Sequence, residues 1–255
     1  MALGISARLG RLAFRPQSER QDVGYRLCPA ELRALLLHPA DPYRRDLGAC
    51  DPDEALRGLP AVAQLLEPFA GNRAEAAAGQ LIAHFGSLGR AIAAPREQLD
   101  LALGANSDLV HVITAARALV TGGLLEQISR TPVSVGDPAF GAYLRARIGK
   151  SPTECLHATF VTYDWRYLGD EILAEGTSRH VEANLRRLLS RAFDLAAHGV
   201  ILAHNHPSGS AEPSAEDIML THRIASIVGS VGVKLLDHLV IGANEIASMR
   251  ERGLL

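Results

Sequence analysis

His204-Asn205-His206-Pro207-Ser208-Gly209-Ser210-Ala211-Glu212-Pro213-Ser214-Ala215-Glu216-Asp217 is the stretch on which the reading of this chain turns. It follows an apolar run that predicts a buried strand over Val200–His204. Side chains alternate along a strand, so His204 and His206 project from one face and Asn205 from the other, where a structural role is expected. Pro207, Gly209 and Pro213 turn the chain. Ser214 opens a helix expected over Ser214–Val228, and Asp217 lies on its first turn, where the helix can return a carboxylate to the two imidazoles. Two histidines and one carboxylate, with a fourth tetrahedral position left for water, form the pattern of a catalytic zinc site. Zinc lowers the pKa of such a water toward about 7. Ser214-x-x-Asp217 also has a plainer reading as a helix cap, with serine at the N-cap and an acidic residue three on. The two readings are compatible, because a cap serine can also direct its hydroxyl at a substrate oxygen.

Outward from this stretch the period of the sequence changes along the chain. Strands are expected over Leu156–Tyr163 and Leu168–Ala174, with Asp164-Trp165-Arg166 as the turn between them. An amphipathic helix is expected over Val181–Ala197, a strand over Val233–Ile241 and an edge strand over Glu245–Met249. That order indicates an α+β fold, a mixed sheet covered by helices. The preceding part reads as helical: Glu31–His38, Ala61–Phe69, Ala74–His84 closed by Gly86, Glu97–Leu103 and Asp108–Val120, with a loop near Pro39–Pro52. Gly104-Ala105-Asn106-Ser107, between two short helices, has the outline of a helix-hairpin-helix turn, which offers backbone N–H groups to a phosphate. The turn lacks the usual second glycine and has no Lys or Arg beside it, so a plain helical bundle is the competing reading. Gly122-Gly123, Pro132 and Gly136 mark 122–137 as a linker, and Pro138–Ile148 is expected to be a helix leading into the second domain.

Composition bounds the function. The chain has 255 residues, enough for one large domain or two small ones, and is 47% hydrophobic and 21% charged, which excludes wholesale disorder. Residues 1–150 carry 17 basic and 15 acidic side chains, a balance of +2; residues 151–255 carry 9 and 13, a balance of −4. Neither half has the basic stripe of a nucleic-acid binder. The cysteines Cys28, Cys50 and Cys155 are odd in number and include no C-x-x-C, so neither a disulfide framework nor a cysteine zinc ribbon is expected, and a reducing cytoplasm is. No membrane span is expected, and residues 1–20 read as a mobile arm and not as a signal peptide. Signatures of zinc nucleobase deaminases, H-E-x-x-H proteases and phosphate-binding loops are absent.

The string from His204 to Asp217 resembles the JAMM motif of the JAB1/MPN metal-dependent hydrolases. Ala203-His204-Asn205-His206-Pro207-Ser208-Gly209, Pro213-Ser214-Ala215-Glu216-Asp217 and Leu235-Leu236-Asp237-His238-Leu239-Val240-Ile241-Gly242 are similar to the RadC family within that superfamily. Gly176-Thr177 fits the same pattern, and His84-Phe85-Gly86-Ser87-Leu88 is similar to the helical domain that precedes the catalytic one. The resemblance implies a small helix-hairpin-helix-like domain over 21–121 and an MPN/JAMM metallohydrolase domain over 138–255, its mixed sheet flanked by helices in deaminase-like layering. It implies one Zn²⁺ per chain on His204, His206 and Asp217. It also implies an upstream glutamate as general acid/base, matched by Glu154 before the first strand, with Glu171 and Glu175 as rivals expected to face solvent. Ser214 would then hydrogen-bond the developing oxyanion. Asp237-His238 either partners a ligating histidine or is plain strand, and His157, His180, His198 and His222 have no ligand spacing. The scaffold implies peptidase-type attack on an amide or isopeptide bond of a protein or peptide. The family's traditional description implies DNA repair, hence a DNA-processing alternative, and a non-catalytic interaction module is the third reading. A homodimer is a reasonable expectation from exposed sheet edges.

Overall fold

The computed structural model of the chain describes residues 52–104, 107–151, 153–176 and 181–255. The expected arm, the Glu31–His38 helix, Cys28, Cys50, Ala105-Asn106, Thr177 and His180 lie outside these residues. The chain forms two compact units, 1–117 and 118–255.

In the first unit, helices α1 (Pro52–Ala70), α2 (Ala74–Phe85), α3 (Leu88–Ala93) and α4 (Arg96–Leu103) are followed by the start of α5 (Ser107–Ser129). Val62, Leu66, Leu81, Ile82, Phe85, Leu99, Val110 and Ile113 make its core. Gly86 ends α2 and Gly104 ends α4, both in the left-handed conformation that a glycine adopts without steric cost. Two expectations are corrected here. The segment 122–137 is not all linker, because α5 continues through Gly122-Gly123 to Ser129. A glycine costs a helix only about 1 kcal/mol, and burial of Val110 and Ile113 early in α5 and of Ile128 late in it offsets that. In addition, Asp108–Ser129 is long and apolar enough to cross a membrane by length and composition, although no such run was expected.

The second unit is the mixed sheet. After α6 (Pro138–Leu144) and a π-helical turn (Arg145–Gly149) come β1 (Cys155–Val161), β2 (Tyr167–Glu175), α7 (Val181–Asp194), β3 (Gly199–Asn205), α8 (Ala215–Ser230), β4 (Lys234–Ile241) and β5 (Ile246–Ser248). The strand order is β2-β1-β3-β4-β5. β3 and β4 are parallel, joined by the α8 crossover, and the other pairs are antiparallel. Alternation assigns the two faces. Ala158, Phe160, Val200 and Leu202 pack with Leu188 of α7 and Ile224 of α8, whereas Cys155, Val161, Ile201 and Ala203 pack with Phe140, Tyr143 and Ile148. The expected single helix over Pro138–Ile148 widens at Arg145. In that turn Arg145 reaches the Gly242 carbonyl and Arg147 reaches Asp170.

Asp170 of β2 fastens this second face. Its carboxylate accepts from Arg147 (3.1 Å), from fully buried His157 (3.0 Å) and from the Tyr167 hydroxyl. Burial alone would raise its pKa, but these donors outweigh burial and hold it well below the usual carboxylate range. A carboxyl depressed in the folded state stabilises fully above its unfolded pKa, about 4, and that contribution is lost as pH falls further. Asp170→Asn should therefore cost about 2 kcal/mol at pH 7, the scale of a hydrogen bond to a charged group. The deficit should shrink below about pH 4, as read from urea unfolding of both proteins at each pH.

Candidate metal centre

The end of β3 carries the centre. His204 is its penultimate residue and His206 lies just past its end, where the His206 amide still pairs with the Ile241 carbonyl (3.1 Å). The two imidazoles face the α7/α8 side, their Nε2 atoms 2.9 Å apart. Asp217 arrives from the first turn of α8, with Oδ1 3.4 Å from His204 Nε2 and Oδ2 3.4 Å from His206 Nε2. Glu154, immediately before β1, completes a group of four whose ligand atoms all lie within 4.8 Å of one another. The four residues come from three separate segments of the chain.

Each member is held from behind. Ser214 and Asp217 form a capping box. The Ser214 backbone N–H and hydroxyl both donate to Asp217 Oδ2 (2.8 and 2.6 Å), and the Asp217 N–H donates to the Ser214 hydroxyl. The cap and the site are therefore one structure. Burial would raise the Asp217 pKa, but hydrogen bonds from His204 and Ser214 overcome it and keep this carboxyl well below its ordinary value. Asn205 points to the opposite face, as its place between the histidines requires. Its Oδ1 accepts from the Cys155 N–H (2.8 Å), and its Nδ2 donates to the Ser151 and Thr153 carbonyls (3.2 and 3.1 Å). Those bonds clamp the backbone on both sides of Glu154, and the Gly176 N–H holds the Glu154 carbonyl (2.8 Å). The rival Glu171 is paired with Arg187 and Arg191 of α7 away from the site, and Glu175 is exposed.

The donor set fits a divalent cation. His206 Nδ1 lies 3.0 Å from the Ser210 carbonyl, which can only accept, so Nδ1 carries a proton and Nε2 is the nitrogen turned inward to a cation. Two imidazole nitrogens 2.9 Å apart beside a carboxylate are held by a shared proton or a shared cation. A nitrogen–nitrogen–oxygen set with room for a fourth ligand suits zinc.

Sequence reasoning left the Asp237-His238 pair open, and the structure divides it. Asp237 points away, accepting from Ser248 Oγ and the Arg250 N–H. His238 is buried behind the site, its Nε2 2.8 Å from His204 Nδ1. Burial and the neighbouring His204 lower its pKa to about 3, so it is neutral. Thr221, which sequence reasoning missed, lies 2.6 Å from His238 Nδ1. Its spacing four residues after Asp217, one helical turn on, was the available signal. His157 is fully buried on the other face, where it is bonded to Asp170 and takes no part in the cluster. His222 is bonded to the Leu254 carbonyl. Cys155 is free and buried.

Fold and site together define a JAB-type α+β domain carrying a metal-binding cluster. The RadC-like JAB domain family matches residues 137–254. Similar proteins include the UPF0758 protein of Halorhodospira halophila, 37% identical over 198 residues (76% of this chain, 88% of that protein). The UPF0758 proteins of Leptothrix cholodnii (35% over 178 residues, 70% and 80%) and Azotobacter vinelandii (34% over 186 residues, 73% and 83%) are comparable. The chain belongs to this UPF0758, or RadC, family.

The loop that supplies the Ser210 carbonyl is packed against Gly242 with no spare room. A Cβ there would lie 2.7 Å from the Gly209 oxygen and 2.9 Å from the Ala211 nitrogen, both backbone atoms. Gly242→Ala should therefore displace the support of His206 and weaken the affinity of the cluster for a divalent cation about 10-fold without altering any of its four residues, as measured by competition with a chromophoric chelator.

Proposed function

We propose that the chain is a zinc-dependent hydrolase of amide bonds, peptide or isopeptide, acting in a reducing cytoplasm. The observation that carries this reading is the wall of the site. A cavity of about 50 Å³ adjoins Glu154, His204 and Asp217 and is lined by Leu156, Leu173, Leu185, Leu188, Leu220 and Ile224. It has room for a small aliphatic group; a dry cavity of about 150 Å³ holds benzene. No Lys or Arg is among its described lining residues. A phosphodiester needs cationic partners for its charge, whereas a peptide carbonyl flanked by an aliphatic side chain does not. The likeness to JAMM hydrolases points the same way.

His204, His206 and Asp217 would hold the zinc, which when bound acidifies a water and polarises a carbonyl. Glu154, exposed at the rim of the cluster, takes up a proton on its carboxylate and returns it to the departing amine. Asp217 stays ionised because the capping box and His204 favour its charged form. Ser214, at the mouth of the site, presents its hydroxyl to the substrate oxygen once Asp217 is engaged elsewhere. The leucine wall excludes water from the side chain next to the scissile bond.

Protein purified without chelator or metal-affinity tag should contain about one zinc per chain by elemental analysis, and His206→Ala should lose it. Glu154→Gln should keep the zinc and lower cleavage of a peptide library by 10²–10⁴-fold or so. Absence of zinc uptake by the wild type, or cleavage of DNA but not of peptides, would reject the proposal.

A further inference from the structure

Behind the first histidine runs a chain of contacts whose proton positions can be assigned by counting. The Thr221 hydroxyl lies 2.6 Å from the Asp217 carbonyl, 2.6 Å from His238 Nδ1 and 3.5 Å from Met249 Sδ. A hydroxyl has one proton. A carbonyl cannot donate, so the short contact between Thr221 Oγ1 and the Asp217 oxygen requires that proton. Thr221 then has only lone pairs to offer His238, and Nδ1 of His238 must be its protonated nitrogen. His238 is 1% exposed, and neither of its ring contacts is a carboxylate that would stabilise an imidazolium. It therefore carries a single proton, and its Nε2 is an acceptor. His204 Nδ1, 2.8 Å away, must donate to it. The remaining nitrogen of His204, Nε2, is therefore the one that faces His206 and Asp217.

We propose that Thr221 and His238 are positioning residues that fix His204 as its Nδ1–H tautomer, with the Asp217 carbonyl as the anchor of the relay. This rests on the reading of His204 as a metal ligand. One residue thus holds both ends of the site: the Asp217 carboxylate faces the cluster, and the Asp217 carbonyl, one helical turn before Thr221, dictates the tautomer of its histidine neighbour. His206 reaches the same state by a shorter route, through Ser210. With the opposite tautomer His204 would present an N–H to the cation position and could not bind there without moving that proton.

The test is long-range ¹H–¹⁵N correlation of the imidazoles in the ¹⁵N-labelled full chain, metal-free and after zinc addition, for wild type, Thr221→Ser and Thr221→Val. In the wild type His238 should appear as its Nδ1–H tautomer with and without zinc, and zinc-bound His204 should carry its proton on Nδ1. Thr221→Ser, which keeps the hydroxyl, should preserve the pattern. Thr221→Val, which keeps the shape but not the hydroxyl, should mix or invert both tautomers and weaken zinc binding 10–100-fold or so with the circular dichroism unchanged. An Nε2–H tautomer at His238 in the wild type overturns the proposal, as do tautomers and zinc affinity unmoved in Thr221→Val. If that variant does not fold, the wild-type spectrum decides alone. A wild type that shows the assigned tautomers but binds no zinc refutes the metal reading and leaves the relay standing.

Discussion

The alternation of side chains at the end of β3 is the constraint on which the rest of this domain depends. His204 and His206 fall on one face and converge to 2.9 Å, while Asn205 between them falls on the other. There it bonds to three backbone groups of the segment from Ser151 to Cys155. Two candidate ligands and the placement of the proposed acid/base thus follow from three consecutive residues. A slip of one residue in the pairing of β1 with β3 would exchange these faces and undo both arrangements together. The register is secured by apolar residues on both faces, Ala158 and Phe160 on one and Val161 and Ile201 on the other.

Asp217 shows how a local folding signal and a site can share one side chain. An acidic residue at the third position of a helix is a familiar capping device that satisfies N–H groups the helix leaves unpaired. Here the capped carboxylate also sits between two imidazoles. The cap bonds favour ionisation, so the helix terminus itself prepares the group to meet a cation. Folding of the first turn of α8 and completion of the cluster are the same event.

Much of the second unit is legible in the sequence because its signals are short-range. The strand pattern, the His204-x-His206 pair, the breakers and the Ser214–Asp217 cap each lie within a few residues. Glu154 is legible only through the family resemblance, since nothing between Thr153 and Leu156 reveals that Asn205 will pin its neighbour Cys155 from 50 residues away. Thr221 and His238 are 17 residues apart on different elements and meet only because β4 lies parallel beside β3. Gly122 and Gly123 misled the reading of α5 for the opposite reason: a weak local preference was outweighed by burial at both ends of a long helix.

The spacing between His206 and Ser214 has a physical cause in the loop. The Gly209 N–H returns to the His206 carbonyl (2.9 Å), and the Gly209 carbonyl accepts from the Ala243 N–H (2.8 Å), so the loop is tied both to its own start and to the end of β4. Only then does Ser210 present its carbonyl to His206 Nδ1. A shorter loop would lose that carbonyl, and a longer one would lift it away from Gly242, where the close approach leaves no slack. The proton positions at both histidines therefore trace back to backbone carbonyls, that of Ser210 directly and that of Asp217 through Thr221 and His238. Carbonyls accept and never donate, whatever the side chains around them, so the Nδ1 protons, and with them the inward direction of both Nε2 atoms, are a consequence of the main-chain path.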